Sequence, residues 1–171
     1  EKALDIYKEL LQHTFEIASA VDASKYVFYF DKIEDEDIWN ADGFFKVLQK
    51  DGDLGNKMAA AFTHLFNERC ESVVIIGSDC FELTTNIIEN AFSDLEINDI
   101  VIGPANDGGY YLLGMKKIFP FIFKNKKWST ESVFNETVLE LEKNNISYKT
   151  LAVLTDVDTE EDWLATKKYS G

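Results

Sequence analysis

Short apolar runs alternate with amphipathic helical patterns along most of this chain. Apolar residues recur at helical spacing over residues 1–20, 54–69, 84–95 and 131–144. Continuous apolar runs, which are typical of buried strands, occupy residues 26–30, 44–49, 72–76, 100–102, 110–114 and 148–154. Because strands and helices alternate, the pattern predicts an α/β fold, a three-layer α/β/α sandwich around a mostly parallel mixed sheet.

The stretch from Ile100 to Gly114 is the most distinctive part of this pattern. It predicts two strands joined by a loop with four residues of interest, Asn106, Asp107, Gly108 and Gly109. Glycine permits positive φ and lets a ligand approach the backbone, so we expect positive φ at one or both glycines. One hypothesis is a binding rim whose carboxylate, Asp107, is catalytic. The other is a β-hairpin turn that simply needs glycine.

Aspartates stand at the carboxyl ends of three predicted strands. They are Asp79, which follows Gly77 and Ser78, then Asp107 in the glycine loop, and finally Asp156 with Asp158. Ligands bind at this edge of open α/β sheets, and carboxylate oxygens suit Mg²⁺ or Mn²⁺ with a phosphate-bearing substrate. A turn or helix cap is the alternative explanation for Asp79, whereas Asp156 and Asp158 have no such local role.

Composition and charge narrow the choice of partner. The 171 residues suffice for one domain, and an apolar content of 46% is that of a globular protein. Acidic residues number 31 against 17 basic ones, which gives a net charge of −14. This charge opposes binding to nucleic acid or to an anionic membrane, but a small anionic ligand could bind through a metal ion or backbone amides.

Cys70 and Cys80 are the only cysteines, and no group of Cys and His has zinc-ligand spacing. We expect both to be reduced thiols, and Cys80 beside Asp79 to be unreactive. The sequence contains neither a signal peptide nor a transmembrane run, so we expect a cytoplasmic protein. Whether it forms a homo-oligomer is left open.

Several motifs together are specific for a family. The segments QKDGDLGNKM, VVIIGSDC, VIGPANDGGYYLLG, WST and DVDTEEDW resemble a bacterial family of glycosyltransferases. That family has the glycosyltransferase-A, or nucleotide-diphospho-sugar transferase, fold, and some members are radical-SAM/selenodomain-associated transferases. The chain is similar, more distantly, to phospholactate and molybdenum-cofactor guanylyltransferases.

The resemblance implies a nucleotide-sugar or nucleoside-triphosphate site at the carboxyl edge of the sheet. It implies that Asp79 and Asp158 bind the metal ion, with Asp156 as a further ligand. It places Gly108, Gly109 and Tyr110 on the acceptor side. Our candidates for substrate binding are Gly77, Ser78, Asn106, Gly108, Gly109, Tyr110, Trp128 and Thr130; a core role is the alternative for Trp128.

Three departures from the family pattern matter. Phe81 and Glu160 stand where relatives commonly have proline, which a helix start tolerates. Relatives also open with a strand and a basic glycine-containing loop that this sequence lacks, which leaves Lys57 and Lys127 as the best cations for phosphate. We therefore expect residues 1–171 to be one domain truncated at its start. The gap would be filled by upstream residues, by a partner chain, or by direct pairing of strands 26–30 and 72–76.

Two functional hypotheses follow. The first is a transferase that needs Mg²⁺ or Mn²⁺ and acts on a nucleotide-activated substrate and a small-molecule acceptor, by glycosyl or nucleotidyl transfer. The alternative is a non-catalytic nucleotide- or sugar-binding module of the same fold, which the absent basic loop favours. A third, less favoured hypothesis is a purely structural domain.

Overall fold

The structure is a computed structural model that describes residues 2–41, 43–128 and 130–168. The helices of these residues are α1 (Lys2–Ser19), α2 (Leu54–Asn67), α3 (Thr85–Ile97), α4 (Val133–Lys143) and α5 (Glu160–Lys168). The strands are β1 (Lys25–Tyr29), β2 (Phe44–Leu48), β3 (Val73–Ile76), β4 (Ile100–Pro104), β5 (Tyr110–Met115) and β6 (Tyr148–Thr150). None of the helices described is long and apolar enough to cross a membrane.

Helix starts follow local capping chemistry. The Asp53 carboxylate accepts from the backbone N–H of Asn56 at 2.8 Å, which satisfies one free amide at the start of α2. Thr159 and Asp162 form a reciprocal capping box at the start of α5. Each predicted helix and strand is therefore present, although β6 ends at Thr150 and is shorter than the predicted run to residue 154.

The central sheet has the strand order β3-β5-β4-β6. Strand β4 pairs with β6 in parallel, whereas β5 runs antiparallel to both β3 and β4. Three strands therefore share one direction and β5 opposes them, which makes the sheet mixed. Because β4 and β5 form an antiparallel pair, the glycine loop between them is the turn of a β-hairpin. That hypothesis is correct for the local geometry.

Alternate residues of β4 and β5 point into two apolar cores, one on each face of the sheet. Ile100, Ile102 and Leu113 pack with side chains of α2 and α4. Val101 and Leu112 pack with α3 on the opposite face. The predicted three layers are thus present, and β4 is buried along its whole length.

Strands β1 and β2 form a separate parallel pair, and β1 makes no pairing with β3 among the described residues. A cavity of about 2040 Å³ is lined by both β1 and β3 along their lengths. Parallel strands are normally buried on both faces, yet all of β1 is only partly buried. The prediction that β1 and β3 pair directly is therefore wrong. The expectation that an added strand fills the gap between them stays a prediction.

Candidate active site

Four aspartates, which we call the acidic cluster, line the cavity beside β3: Asp79, Asp107, Asp156 and Asp158. They come from the turn after β3, the glycine loop after β4, and the segment after β6. A backbone hydrogen bond of 2.8 Å from the N–H of Val157 to the carbonyl of Asp79 joins the first and last of these segments. The structure thus brings together the carboxylates that the sequence places at three strand ends.

The turn after β3 needs glycine at its first position. A Cβ atom at Gly77 would lie 2.5 Å from Oδ1 of Asp79, so any larger residue would displace that carboxylate. The N–H of Gly77 also donates to the carbonyl of Tyr111 at 3.0 Å, which holds the turn to β5. Gly77 and Ser78 both line the cavity next to Asp79, and the missing side chain of Gly77 leaves room for this carboxylate.

Burial and neighbouring negative charges raise the pKa values of two members of the acidic cluster, Asp156 and Asp79. Burial, together with the charges of Asp79, Asp107 and Asp158, raises the pKa of Asp156 to about 7. Oδ1 of Asp156 is buried without a hydrogen-bond partner. Burial also raises the pKa of Asp79, with added repulsion from Asp158 and Asp107. A cation in this part of the cavity would relieve that repulsion.

Cys80 belongs to the core under this cluster. Its side chain is 3% exposed, and burial together with the charge of Asp156 raises the pKa of its thiol to about 12. The nearby thiol in turn lowers the pKa of Asp156, but by less than burial and repulsion raise it. A protonated buried thiol is a poor nucleophile, in agreement with the expectation that Cys80 is unreactive.

Gly108 and Gly109 have different roles in the glycine loop. Gly108 has a φ of +89°, and a Cβ there would lie 2.2 Å from the carbonyl oxygen of Glu131. Its own carbonyl accepts from the N–H of Phe134 at 2.8 Å, so the loop packs tightly on the start of α4. The expected positive φ is thus confirmed at Gly108. Gly109 instead lines the cavity and donates its N–H to Oδ1 of Asp107 at 2.8 Å.

Two residues that the sequence did not single out connect these segments. The side-chain amide of Asn106 donates to the hydroxyl of Thr155 at 2.7 Å. The backbone N–H of Thr155 donates to the Glu82 carboxylate at 2.7 Å. The position of Thr155 directly before Asp156 could have indicated a role at the site. Nothing in the sequence connects Glu82 with Thr155, which lies 73 positions away.

The remaining candidates for substrate binding lie in different surroundings. Tyr110 and Trp128 line the cavity, with their rings in an edge-to-face contact at 6.4 Å. Trp128 also packs on the first turn of α2, where a Cβ at Gly55 would lie 2.3 Å from its Nε1. Thr130 does not line the cavity, and its hydroxyl donates to the carbonyl of Lys127 at 2.7 Å. Ser129, within the same motif, lies outside the described residues.

Whether this donor set suits a metal ion depends on the ion. No three Asp, Glu, His or Cys side chains among the residues described are arranged to enclose one by themselves. Mg²⁺ characteristically binds through one or two carboxylates and keeps water or substrate phosphate oxygens as its other ligands. Mutually repelling carboxylates and an unpartnered buried oxygen at Asp156 fit an ion held in that way.

Basic side chains are placed less favourably for phosphate. Lys57 lines the cavity with its Nζ 4.2 Å from the centre of the Phe30 ring. Lys127 is exposed and lies outside the cavity lining. Within the described part of the chain, no ion pair joins a lysine or arginine to the acidic cluster. Among the described residues, therefore, no ion pair offsets the negative charge of the cluster.

Comparison with known proteins places the chain in a family. The family described as "Uncharacterized protein conserved in bacteria (DUF2064)" matches residues 12–130, and the chain belongs to it. The matched segment includes Asp79 and the glycine loop and ends before Asp156 and Asp158. No curated protein matches the chain.

Solved structures show the same fold. A protein from Desulfovibrio desulfuricans G20, provisionally assigned as a nucleotide-diphospho-sugar transferase, is 27% identical with a TM-score of 0.91 over 99% of this chain and 76% of its own. The 4-diphosphocytidyl-2C-methyl-D-erythritol synthase of Anaerococcus prevotii is 13% identical, with a TM-score of 0.70 over 94% of this chain and 85% of its own. The fold is therefore that of the nucleotide-diphospho-sugar transferases.

A third similar structure contains a metal ion. The protein Rv0371C of Mycobacterium tuberculosis H37Rv, solved in complex with manganese, is 15% identical. Its TM-score is 0.56, over 91% of this chain and 84% of its own. At this identity the likeness concerns the fold alone.

Substitution of the two loop glycines should have unequal effects on stability. Gly108→Ala forces a side chain into positive φ and against the backbone of Glu131, so we expect a loss of about 2–4 kcal/mol in the free energy of unfolding. The matched variant Gly109→Ala, with ordinary φ, should lose less than about 1 kcal/mol. Urea unfolding measures both, and equal losses would show that the loop does not pack on α4 as described.

Stability without metal should fall as the pH rises from about 5 to about 8. The folded-state pKa of Asp156 lies above its unfolded value, so the folded state binds more protons in this range and loses relative stability as they dissociate. After a discount for partial exposure we expect a loss on the order of 1–2 kcal/mol.

Urea unfolding in EDTA should show this slope, and Asp156→Asn should flatten it. Stability that is constant or rising with pH in the wild type would contradict the electrostatic description of the acidic cluster.

Proposed function

We propose that this chain, as a member of that family, is a divalent-metal-dependent transferase that acts on a nucleotide-activated substrate. It would transfer a glycosyl group from a nucleotide-sugar, or a nucleotidyl group from a nucleoside triphosphate, to a small-molecule acceptor. The observation that carries this proposal is the convergence of four carboxylates from three strand ends on one wall of a large cavity. The fold, shared with nucleotide-diphospho-sugar transferases, supports it.

A carboxylate-lined cavity would by itself repel a diphosphate. Mg²⁺ or Mn²⁺ bound there would neutralise charge on the diphosphate as it leaves, in either type of transfer. Asp79 and Asp158 are our proposed ligands, with Asp156 as a third carboxylate beside them. Burial and neighbouring negative charges raise the pKa values of Asp79 and Asp156, and a bound cation would favour their ionised forms, which supports these two as ligands.

Asp107 is our proposed catalytic residue. The Gly109 N–H holds its Oδ1, and the glycine loop is fixed on α4 by the tight packing of Gly108. A carboxylate so oriented, which lines the same cavity as the proposed metal ligands, would accept the proton of an acceptor hydroxyl. Gly109 leaves its backbone open to an acceptor at the same position.

The wall formed by aromatic side chains supplies an apolar surface for a base or a sugar. Trp128 and Tyr110 line the cavity and are held by their packing against the main core. Phe30 is 77% exposed on the same cavity, with Lys57 above its ring. Rings of this kind stack on bases and sugars, and Lys57 is the described cation best placed to approach a phosphate.

A non-catalytic nucleotide- or sugar-binding module is the second candidate function. It is favoured by one observation, the lack of ion pairs between the acidic cluster and the basic residues of the described chain. Such a module would bind nucleotide without turnover. The radical-SAM-associated subtype, the cytoplasmic location and a homo-oligomeric state stay predictions.

Thermal unfolding with Mn²⁺ and nucleoside diphosphates tests the proposed metal site. We expect a saturable rise in Tm for the wild type, because a ligand that binds only the folded state stabilises it. Asp79→Asn should raise the Tm of the metal-free protein, since it removes a repelling charge, and should abolish the rise with Mn²⁺. Asp51→Asn, which removes an exposed charge outside the cavity, is the matched control and should behave as the wild type.

A full Mn²⁺ response in Asp79→Asn would refute the assignment of this ligand. Phosphorus NMR of the products then separates the remaining alternatives. Glycosyl transfer releases a nucleoside diphosphate and nucleotidyl transfer releases pyrophosphate. Binding without either product would favour the non-catalytic module.

A further inference from the structure

Thr155 is held from two sides by side chains of two other segments. Its hydroxyl accepts a hydrogen bond of 2.7 Å from the side-chain amide of Asn106 in the glycine loop. Its backbone N–H donates to the carboxylate of Glu82, which follows Asp79 in the turn after β3. The three segments that carry the acidic cluster therefore meet at one residue.

Backbone pairing alone leaves the last of these segments incompletely fixed. The N–H of Leu154 donates to the carbonyl of Pro104, and the N–H of Asn106 donates to the carbonyl of Leu154. This ladder continues β4 only as far as Leu154. Beyond Thr155, the next backbone bond shown is the one from Val157 to Asp79. The hydrogen bonds of Thr155 therefore fix the chain between the backbone bonds of Leu154 and the backbone bond of Val157.

The interval contains a residue that the cluster repels. Asp156 lies between Thr155 and Val157, and its Oδ1 is buried without a partner. Asp79, Asp107 and Asp158 line the same cavity, and like-charged carboxylates so placed repel one another. A chain segment under such repulsion would relax away from the cavity unless neighbouring groups held it in place.

We propose that Thr155, which is hydrogen-bonded to Asn106 and Glu82, is a positioning residue that holds Asp156 and Asp158 in the arrangement that binds the metal ion. This inference rests on the proposed function, because it concerns the same metal site. Groups that orient metal ligands without touching the metal commonly affect affinity strongly. Asn106 is then a positioning residue as well, and its side-chain amide acts within the protein rather than on a substrate.

The alternative is that these bonds only stabilise the folded chain. In that case their removal lowers Tm and leaves the metal affinity of the folded protein unchanged. Mn²⁺ affinity measured by electron paramagnetic resonance, well below the Tm of each variant, distinguishes the two roles. It requires no substrate and no turnover.

Thr155→Val and Thr155→Ser form the first matched pair. Valine keeps the shape and removes the hydroxyl, so we expect Mn²⁺ to bind about 3–10-fold more weakly. Serine keeps the hydroxyl, so its affinity should stay within about twofold of the wild type. Asn106→Ala should match Thr155→Val, and the double variant should lose little more than either single one, because both substitutions remove the same bond.

Glu82→Ala and Glu82→Gln form the second pair. Glutamine keeps an oxygen that can accept from the N–H of Thr155, whereas alanine removes the acceptor. We expect Glu82→Ala to weaken Mn²⁺ binding more than Glu82→Gln does. If Thr155→Val does not fold, as judged by circular dichroism, Asn106→Ala and the Glu82 pair carry the same test.

Failure of this inference and failure of the proposed function give different results. Wild-type affinity in Thr155→Val and Glu82→Ala, together with weakened binding in Asp158→Asn, would overturn the inference and leave the metal site standing. A wild-type chain that binds no Mn²⁺ at millimolar concentration, with or without nucleotide, would overturn both.

Discussion

The local structure of the site depends on keeping four like charges close together in a protein whose net charge is already −14. Burial of Asp156, with repulsion from the neighbouring carboxylates, raises its pKa to about 7. The fold tolerates this repulsion because each carboxylate belongs to a segment that is hydrogen-bonded to another part of the chain. A divalent cation bound in the cavity would relieve this repulsion, which is why we propose one there.

The rigid part of this arrangement is the hairpin of β4 and β5. Strand β4 has a neighbour on each side and a packed core on each face, so the loop at its end has little freedom. Gly108 extends that rigidity to α4, because the loop backbone touches the backbone of Glu131. By contrast, β1 and β2 form a separate parallel pair, and β1, which also lines the cavity, is only partly buried. The wall that carries the acidic cluster is therefore the better supported side of the cavity, and the wall formed by β1 is the less supported one.

The sequence was sufficient for those features that depend on nearby residues. Apolar runs located the strands, and short-range capping located the starts of α2 and α5 through Asp53 and Thr159. Strand ends then placed Asp79, Asp107, Asp156 and Asp158 together, because parallel strands finish at one edge. Positive φ at Gly108 was also within reach, although the reason for it, contact with Glu131, was not.

Local sequence patterns could not predict features that depend on residues far apart in the chain. The alternation of strands and helices did not predict the antiparallel direction of β5, which only the hairpin hypothesis implied. The early end of β6 at Thr150 could not be seen, since the apolar pattern continues to residue 154 while regular pairing stops. The contact between Glu82 and Thr155 joins two loops through a backbone N–H, which leaves no trace in residue type or spacing.

Anomalous diffraction at the manganese edge, from crystals of this chain with Mn²⁺ and a nucleoside diphosphate, would show whether a metal ion binds at the acidic cluster. We expect one strong peak in the cavity, about 2.0–2.3 Å from a carboxylate oxygen of Asp79 or Asp158, with diphosphate oxygens completing the coordination. Nucleotide bound in the cavity with no manganese at these carboxylates, or manganese bound only outside the cavity, would contradict this expectation.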